Sequence, residues 1–123
     1  MSYIALATDQ FDAMVRFYGE TLRFPRVDGH DRPGARACVF DLHGLRMEIL
    51  DNTREKHAMK LGDANDRMHL VVEVGDVDAV HRELMLDVPP PRDTSWGTRV
   101  FSVRDPDGTP VWFVQKRPGP VRG

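Results

Sequence analysis

His69-Leu-Val-Val-Glu-Val-Gly-Asp-Val-Asp-Ala-Val-His-Arg-Glu-Leu84 reads as one buried strand feeding a helix, and it is also the second copy of the N-terminus. Moved back by 66 positions, His69 falls on Tyr3, Val72 on Leu6, Asp78-Ala79 on Asp12-Ala13 and Arg82 on Arg16. The hydrophobic period changes from two to about 3.6 at the same place in both copies, so a strand-helix unit occurs twice.

The remainder of each copy repeats with an offset of 64: Asp41-Leu-His-Gly44 lies on Asp105-Pro-Asp-Gly108, and Arg46-Met-Glu-Ile49 lies on Pro110-Val-Trp-Phe113. The second copy is thus two residues shorter between its helix and its last hairpin, a length change that loops tolerate. The first copy takes in residues 1–51, a polar connector 52–66, the second copy 67–116 and a Pro/Gly/Arg-rich tail 117–123, expected to fray. With 123 residues, the expectation is a single domain over 1–123.

In the first copy, Tyr3 to Thr8 alternates as a strand, with Tyr3, Ala5 and Ala7 on one face and Ile4, Leu6 and Thr8 on the other. Asp9 offers an N-cap for a helix whose stripe is Phe11, Met14, Val15, Tyr18 and Leu22, packed on the Ile4/Leu6 face. Phe24 to Asp28 is a weak strand, and Gly29 to Gly34 reads as a break. Ala35 to Leu42 and Leu45 to Leu50 form a hairpin around His43-Gly44. In the second copy Asp76 caps a helix with Val77, Val80, Leu84 and Met85 inward, Pro89 to Pro91 is an edge or connector, and the strands 98–104 and 109–115 close a hairpin. Two βαβββ units in tandem predict an α+β fold in which a curled mixed sheet leaves a concave cup inside and helices outside. Period two sets Tyr3, Ala5, Ala7, Arg46, Glu48, Leu50, His69, Val71, Glu73, Pro110, Trp112 and Val114 toward the cup.

A net charge of -2 provides no electrostatic footing for nucleic acid or an anionic membrane. No apolar run approaches the roughly 20 residues needed to cross a bilayer, and the start lacks signal-peptide character, so a cytoplasmic setting is expected. The lone Cys38 excludes an internal disulfide and reads as a small buried apolar residue. No phosphate-cradling or dinucleotide motif is present.

Phe17-Tyr18, the stretch from His69 to Ala79, Trp96-Gly97 and Asp105-Pro-Asp-Gly108, in this order and spacing, resemble the vicinal oxygen chelate superfamily, which includes glyoxalase I, extradiol dioxygenases and fosfomycin- and bleomycin-resistance proteins. The resemblance runs from Tyr3 to Gln115. It implies four metal-ligand positions in the cup, which fall on Tyr3, Glu48, His69 and Trp112. Only Glu48 and His69 are ordinary ligands. The indole nitrogen carries a proton and has no lone pair to give, and catalytic divalent sites want at least three protein ligands. A symmetric partner repeats the same residue types and adds none.

The expectation is therefore a dimeric small-molecule binding protein with a degenerate metal site and no cofactor. It resembles the bleomycin-resistance branch and takes a partly aromatic ligand between Tyr3, Glu48, His69 and Trp112. The alternative is a lyase, isomerase or dioxygenase using Glu48 and His69 as acid and base, or a divalent metal such as Zn, Ni, Mn or Fe. A third reading is a structural domain with a filled cup. Glu48 otherwise pairs with Arg46 or His69, Glu73 pairs with a basic residue, Trp96 is a packing anchor and His81 sits at the surface.

Overall fold

The computed structural model describes residues 2–64 and 66–117. Eight strands and two main helices follow in the order β1 (Ile4–Thr8), α1 (Phe11–Arg16), β2 (Arg26–Arg32), β3 (Ala35–Leu42), β4 (Leu45–Asp51), β5 (Leu70–Glu73), α2 (Val77–Leu84), β6 (Arg92–Asp93), β7 (Thr98–Arg104) and β8 (Pro110–Lys116). Two four-stranded mixed sheets result, ordered β1-β4-β3-β2 and β5-β8-β7-β6. The repeat seen in the sequence is thus a repeat of topology, and the fold is α+β, built from tandem βαβββ units. The expected frayed tail lies, beyond Arg117, outside the described residues.

The faces separate by period two. Leu70 and Val72 are buried while Val71 and Glu73 are exposed. Because full burial of such a side chain is worth about 1.5–3 kcal/mol, a one-residue slip of β5 would lose both. The helix-covered face of each sheet joins one core in which Met14, Tyr18, Phe40, Met47, Ile49, Val72, Val111 and Phe113 take part. Val77 is fully buried, and Val80 and Leu84 pack against this core as expected. Met85 does not: it takes a left-handed backbone (φ 52) that ends α2 and leaves its side chain 84% exposed.

The halves interlock through their hairpin turns. The Gln10 amide donates to the Pro106 carbonyl and the Asp107 carboxylate at 2.9 and 2.6 Å, tying the Asp105 turn to the start of α1. In the other direction His43 Nδ1 donates to the Glu73 carbonyl at 3.1 Å. Phe24 stacks on Phe113 at 6.0 Å and Phe113 on Phe101 at 4.9 Å, so aromatic rings from both halves share one column. His43 and Gly44 both have positive φ, 52 and 104, as a two-residue hairpin of this hand requires.

Two further local expectations are corrected. Residues 29–32 continue β2, because each finds a cross-strand partner on β3 from Gly29↔Cys38 to Arg32↔Ala35, and only Pro33-Gly34 turns the chain. A register shift between Arg26 and Asp28 absorbs the irregularity. Asp9 is not the cap of α1. Its carboxylate accepts from Asn52 Nδ2 at 2.8 Å, and the cap position is Gln10, with no side-chain cap bond. Asp76, by contrast, does cap α2, accepting from Ala79 N at 3.0 Å. After α1 the chain widens into a π turn (Phe17–Thr21), which keeps Tyr18 and Leu22 buried. Gly19 lies here against the Phe40 ring, where a Cβ would come to 3.1 Å.

Candidate functional site

The sheet faces that the helices leave uncovered carry the four expected site residues, in two pairs. Across the first sheet, Glu48 on β4 stands between Ala5 on β1 and Val39 on β3, and Asp28 on β2 is the next neighbour beyond Val39. Tyr3, just before β1 and 57% exposed, joins Asp28, Val39, Arg46 and Glu48 around a hollow of about 290 Å³. Glu48 and Arg46 are half-buried. Neither the expected Glu48–Arg46 ion pair nor a Glu48–His69 pair forms, and both side chains are without a hydrogen-bond or ion-pair partner among the described residues.

Across the second sheet, Trp112 on β8 stands between Val71 on β5 and Ser102 on β7. His69 lies parallel over Trp112, with ring centroids 5.3 Å apart and planes 16° from coplanar. Together with Asp66, Ser102, Arg104 and Pro110 they line a second hollow of about 340 Å³. Arg104 bridges to Asp66 at 2.8 Å and donates to the Gly108 carbonyl at 2.9 Å. The hydrogen bond from Arg104 holds the Asp66 carboxyl below its ordinary range. Glu73, expected to meet a basic residue, has Lys116 at 3.6 Å, both side chains exposed.

Tyr3 and Glu48 are therefore brought together, as are His69 and Trp112, but the two pairs line different hollows. Among the described residues no three His, Cys, Asp or Glu side chains group to hold a metal ion. The donor chemistry does not suit a divalent cation: of the four positions only Glu48 and His69 are ordinary ligands, a symmetric partner adds no other type, and Trp112 offers an N–H where a lone pair is needed.

Five of the lining residues, Asp28, Val39, Asp66, Ser102 and Arg104, were not among those expected. Val39 and Ser102 are legible in retrospect, because the β3-β4 and β7-β8 registers set them opposite Glu48 and Trp112. Asp28 escapes because the weak strand expected from Phe24 ends there, whereas β2 runs on to Arg32 and pairs Asp28 with Val39. Two other expectations fail. Trp96 is 67% exposed and anchors nothing, and His81 is half-buried, edge-on to Phe101 at 5.1 Å with its Nε2 donating to the Val88 carbonyl at 3.2 Å. Cys38 is buried as expected, and burial pushes its thiol pKa up.

A family model described as the Glyoxalase/Bleomycin resistance protein/Dioxygenase superfamily matches residues 1–113. A comparison with curated proteins finds no match. Among solved structures, a glyoxalase/bleomycin resistance protein/dioxygenase from Nocardioides superposes with a TM-score of 0.74 at 21% identity, covering 99% of this chain and 86% of that one. A lactoylglutathione lyase from Agrobacterium tumefaciens gives 0.65 at 21% identity, covering 94% and 92%. The fosfomycin resistance protein FosX from Listeria monocytogenes gives 0.66 at 14% identity, covering 96% and 93%. At these identities the likeness speaks for the fold. Among the described residues no helix is long and apolar enough to cross a membrane.

Proposed function

The chain belongs to the glyoxalase/bleomycin resistance/dioxygenase superfamily, and from that premise we propose that it is a small-molecule binding protein, a single domain that sequesters or carries a partly aromatic ligand as a homodimer. The observation that carries this reading is the His69–Trp112 stack, an aromatic platform set on an uncovered sheet face beside the exposed Val71. A ring pair of this kind extends to a third planar ring at low cost, because the two are already held parallel.

The dimer completes the site in this proposal. Both β1 and β5 are outermost strands with one unpaired edge, so a second copy can bring the Tyr3/Glu48 hollow of one protomer against the His69/Trp112 hollow of the other. Each cup is then walled by Trp112 and His69 on one side and Tyr3 and Glu48 on the other. A cytoplasmic setting goes with this reading, in keeping with a lone, buried Cys38 and no internal disulfide. The enzymatic alternative, with Glu48 and His69 as base and acid, also requires the dimer, since the two line separate hollows. The test is fluorescence titration with planar compounds in a Trp96→Phe background, so that Trp112 alone reports. Saturable quenching supports the proposal, and a Trp112 signal indifferent to every planar compound and to soluble quenchers overturns it.

A further inference from the structure

The charges in the first-sheet hollow define the head group that such a ligand would carry, an inference that rests on the binding role proposed above. Arg46 and Glu48 are two residues apart on β4, hence on the same face and about 7 Å apart along the strand. Both are half-buried and both are without a partner among the described residues. Leaving opposite charges partly desolvated and unpaired is unfavourable, and a ligand that pairs with each relieves it.

The surroundings distinguish the two ends of the hollow. Glu48 is flanked across the sheet by the small side chains of Ala5 and Val39, which leaves space above its carboxylate. Asp28 follows Val39 in the same row, so the two acids lie about 10 Å apart at their Cα atoms with only Val39 between them. Asp28 spends one oxygen on the Gly29 amide at 2.8 Å. Arg46 is opposite Asp41, whose Oδ1 is held by the Gly44 amide at 2.8 Å. No ion pair joins Arg46 to Asp41.

A ligand with only a positive charge would be attracted by Glu48 and Asp28 but repelled by Arg46. One with only a negative charge would meet the reverse. We propose that the hollow takes a zwitterionic head group, with an ammonium beside Glu48 and Asp28 and a carboxylate on the Arg46 guanidinium, as in an aromatic α-amino acid whose ring reaches the Trp112 wall.

Calorimetric titration of the intact protein with L-phenylalanine, phenethylamine, 3-phenylpropanoate and indole separates the possibilities. L-Phenylalanine should bind at least tenfold more tightly than either singly charged analogue. Arg46→Gln should erase its advantage over phenethylamine, Glu48→Gln its advantage over 3-phenylpropanoate, and Arg46→Lys should retain part of the first. Unchanged circular dichroism of the variants secures the comparison. Equal or tighter binding of a singly charged analogue, or a tenfold preference that survives both glutamine variants, overturns the zwitterion proposal. Indole binding with Trp112 quenching but no advantage for L-phenylalanine overturns it while leaving the binding role standing. Silence toward all four compounds overturns the zwitterion proposal, and a Trp112 also silent to other planar compounds removes the binding role with it.

Discussion

Tyr18, in the π turn that follows α1 in the first half, donates its phenolic proton to the Asp105 carboxylate of the second half at 2.7 Å, and both residues are buried. The other oxygen of Asp105 accepts from the Asp107 and Thr109 amides, each at 2.9 Å, and so shapes the last hairpin. One carboxylate thus closes a turn and ties the halves together.

Tyr18→Phe should cost about 1–3 kcal/mol, the penalty of leaving a buried acceptor unpaired, and Asp105→Ala should cost more because the turn loses its acceptor as well. Urea denaturation measures both. A Tyr18→Phe protein as stable as the parent would mean that the bond carries no net weight.

The same pair makes the cost depend on pH. Burial raises the Asp105 pKa in the folded chain, and the hydrogen bonds from Tyr18 and the turn amides partly offset that rise. A raised carboxyl favours the folded state while it is protonated, and that contribution is lost as pH climbs through the folded pKa. Removing the Tyr18 hydroxyl raises the carboxyl further. The difference between Tyr18→Phe and the parent should therefore be smallest in acid and grow as pH rises past the ordinary carboxylate range. A difference that shrinks over that interval contradicts the assignment. Burial also pushes the Tyr18 phenol up, with Asp105 adding to it, so stability should decline in strong alkali as the phenol is forced to ionise.

Sedimentation at micromolar concentration should show a homodimer of about 28 kDa, twice the 14.0 kDa chain. The unpaired edges of β1 and β5 and the exposed Tyr3 and Val71 beside them are the expected contact. A clean monomer sinks the two-chain cup.

Added Zn²⁺, Ni²⁺, Mn²⁺ or Fe²⁺ should leave Tm without the rise of several degrees that a specific site produces. Glu48 and His69 are the only ordinary ligands at the four positions that the resemblance implies. One equivalent of tightly held metal, lost on Glu48→Ala or His69→Ala, would falsify this.

Trp112→Ala should weaken binding of planar compounds by about 1–3 kcal/mol and leave the dimer assembled, because the ring lies on an uncovered face over His69 rather than in the core. Collapse of the fold in this variant would make Trp112 a packing residue.

Much of this was legible along the chain because period and repetition are local properties. The alternation in residues 69–73 assigns Leu70 and Val72 to one face, and the 66- and 64-residue offsets pair Tyr3 with His69 and Glu48 with Trp112 before any contact is known. The His43-Gly44 and Asp105 turns were equally readable, since their backbone needs residues of those types. What depends on partners distant in sequence was not. Gly29 belongs to a strand because Cys38 pairs with it, Asp9 serves Asn52 rather than the helix, and Tyr18 finds Asp105 87 positions away. The division of the four site residues is of the same kind. Period two decides which face each side chain takes, but only the docking of the two halves through their helix-covered faces decides that Tyr3 with Glu48 and His69 with Trp112 line separate hollows, because burial of one shared core leaves the opposite face of each sheet uncovered.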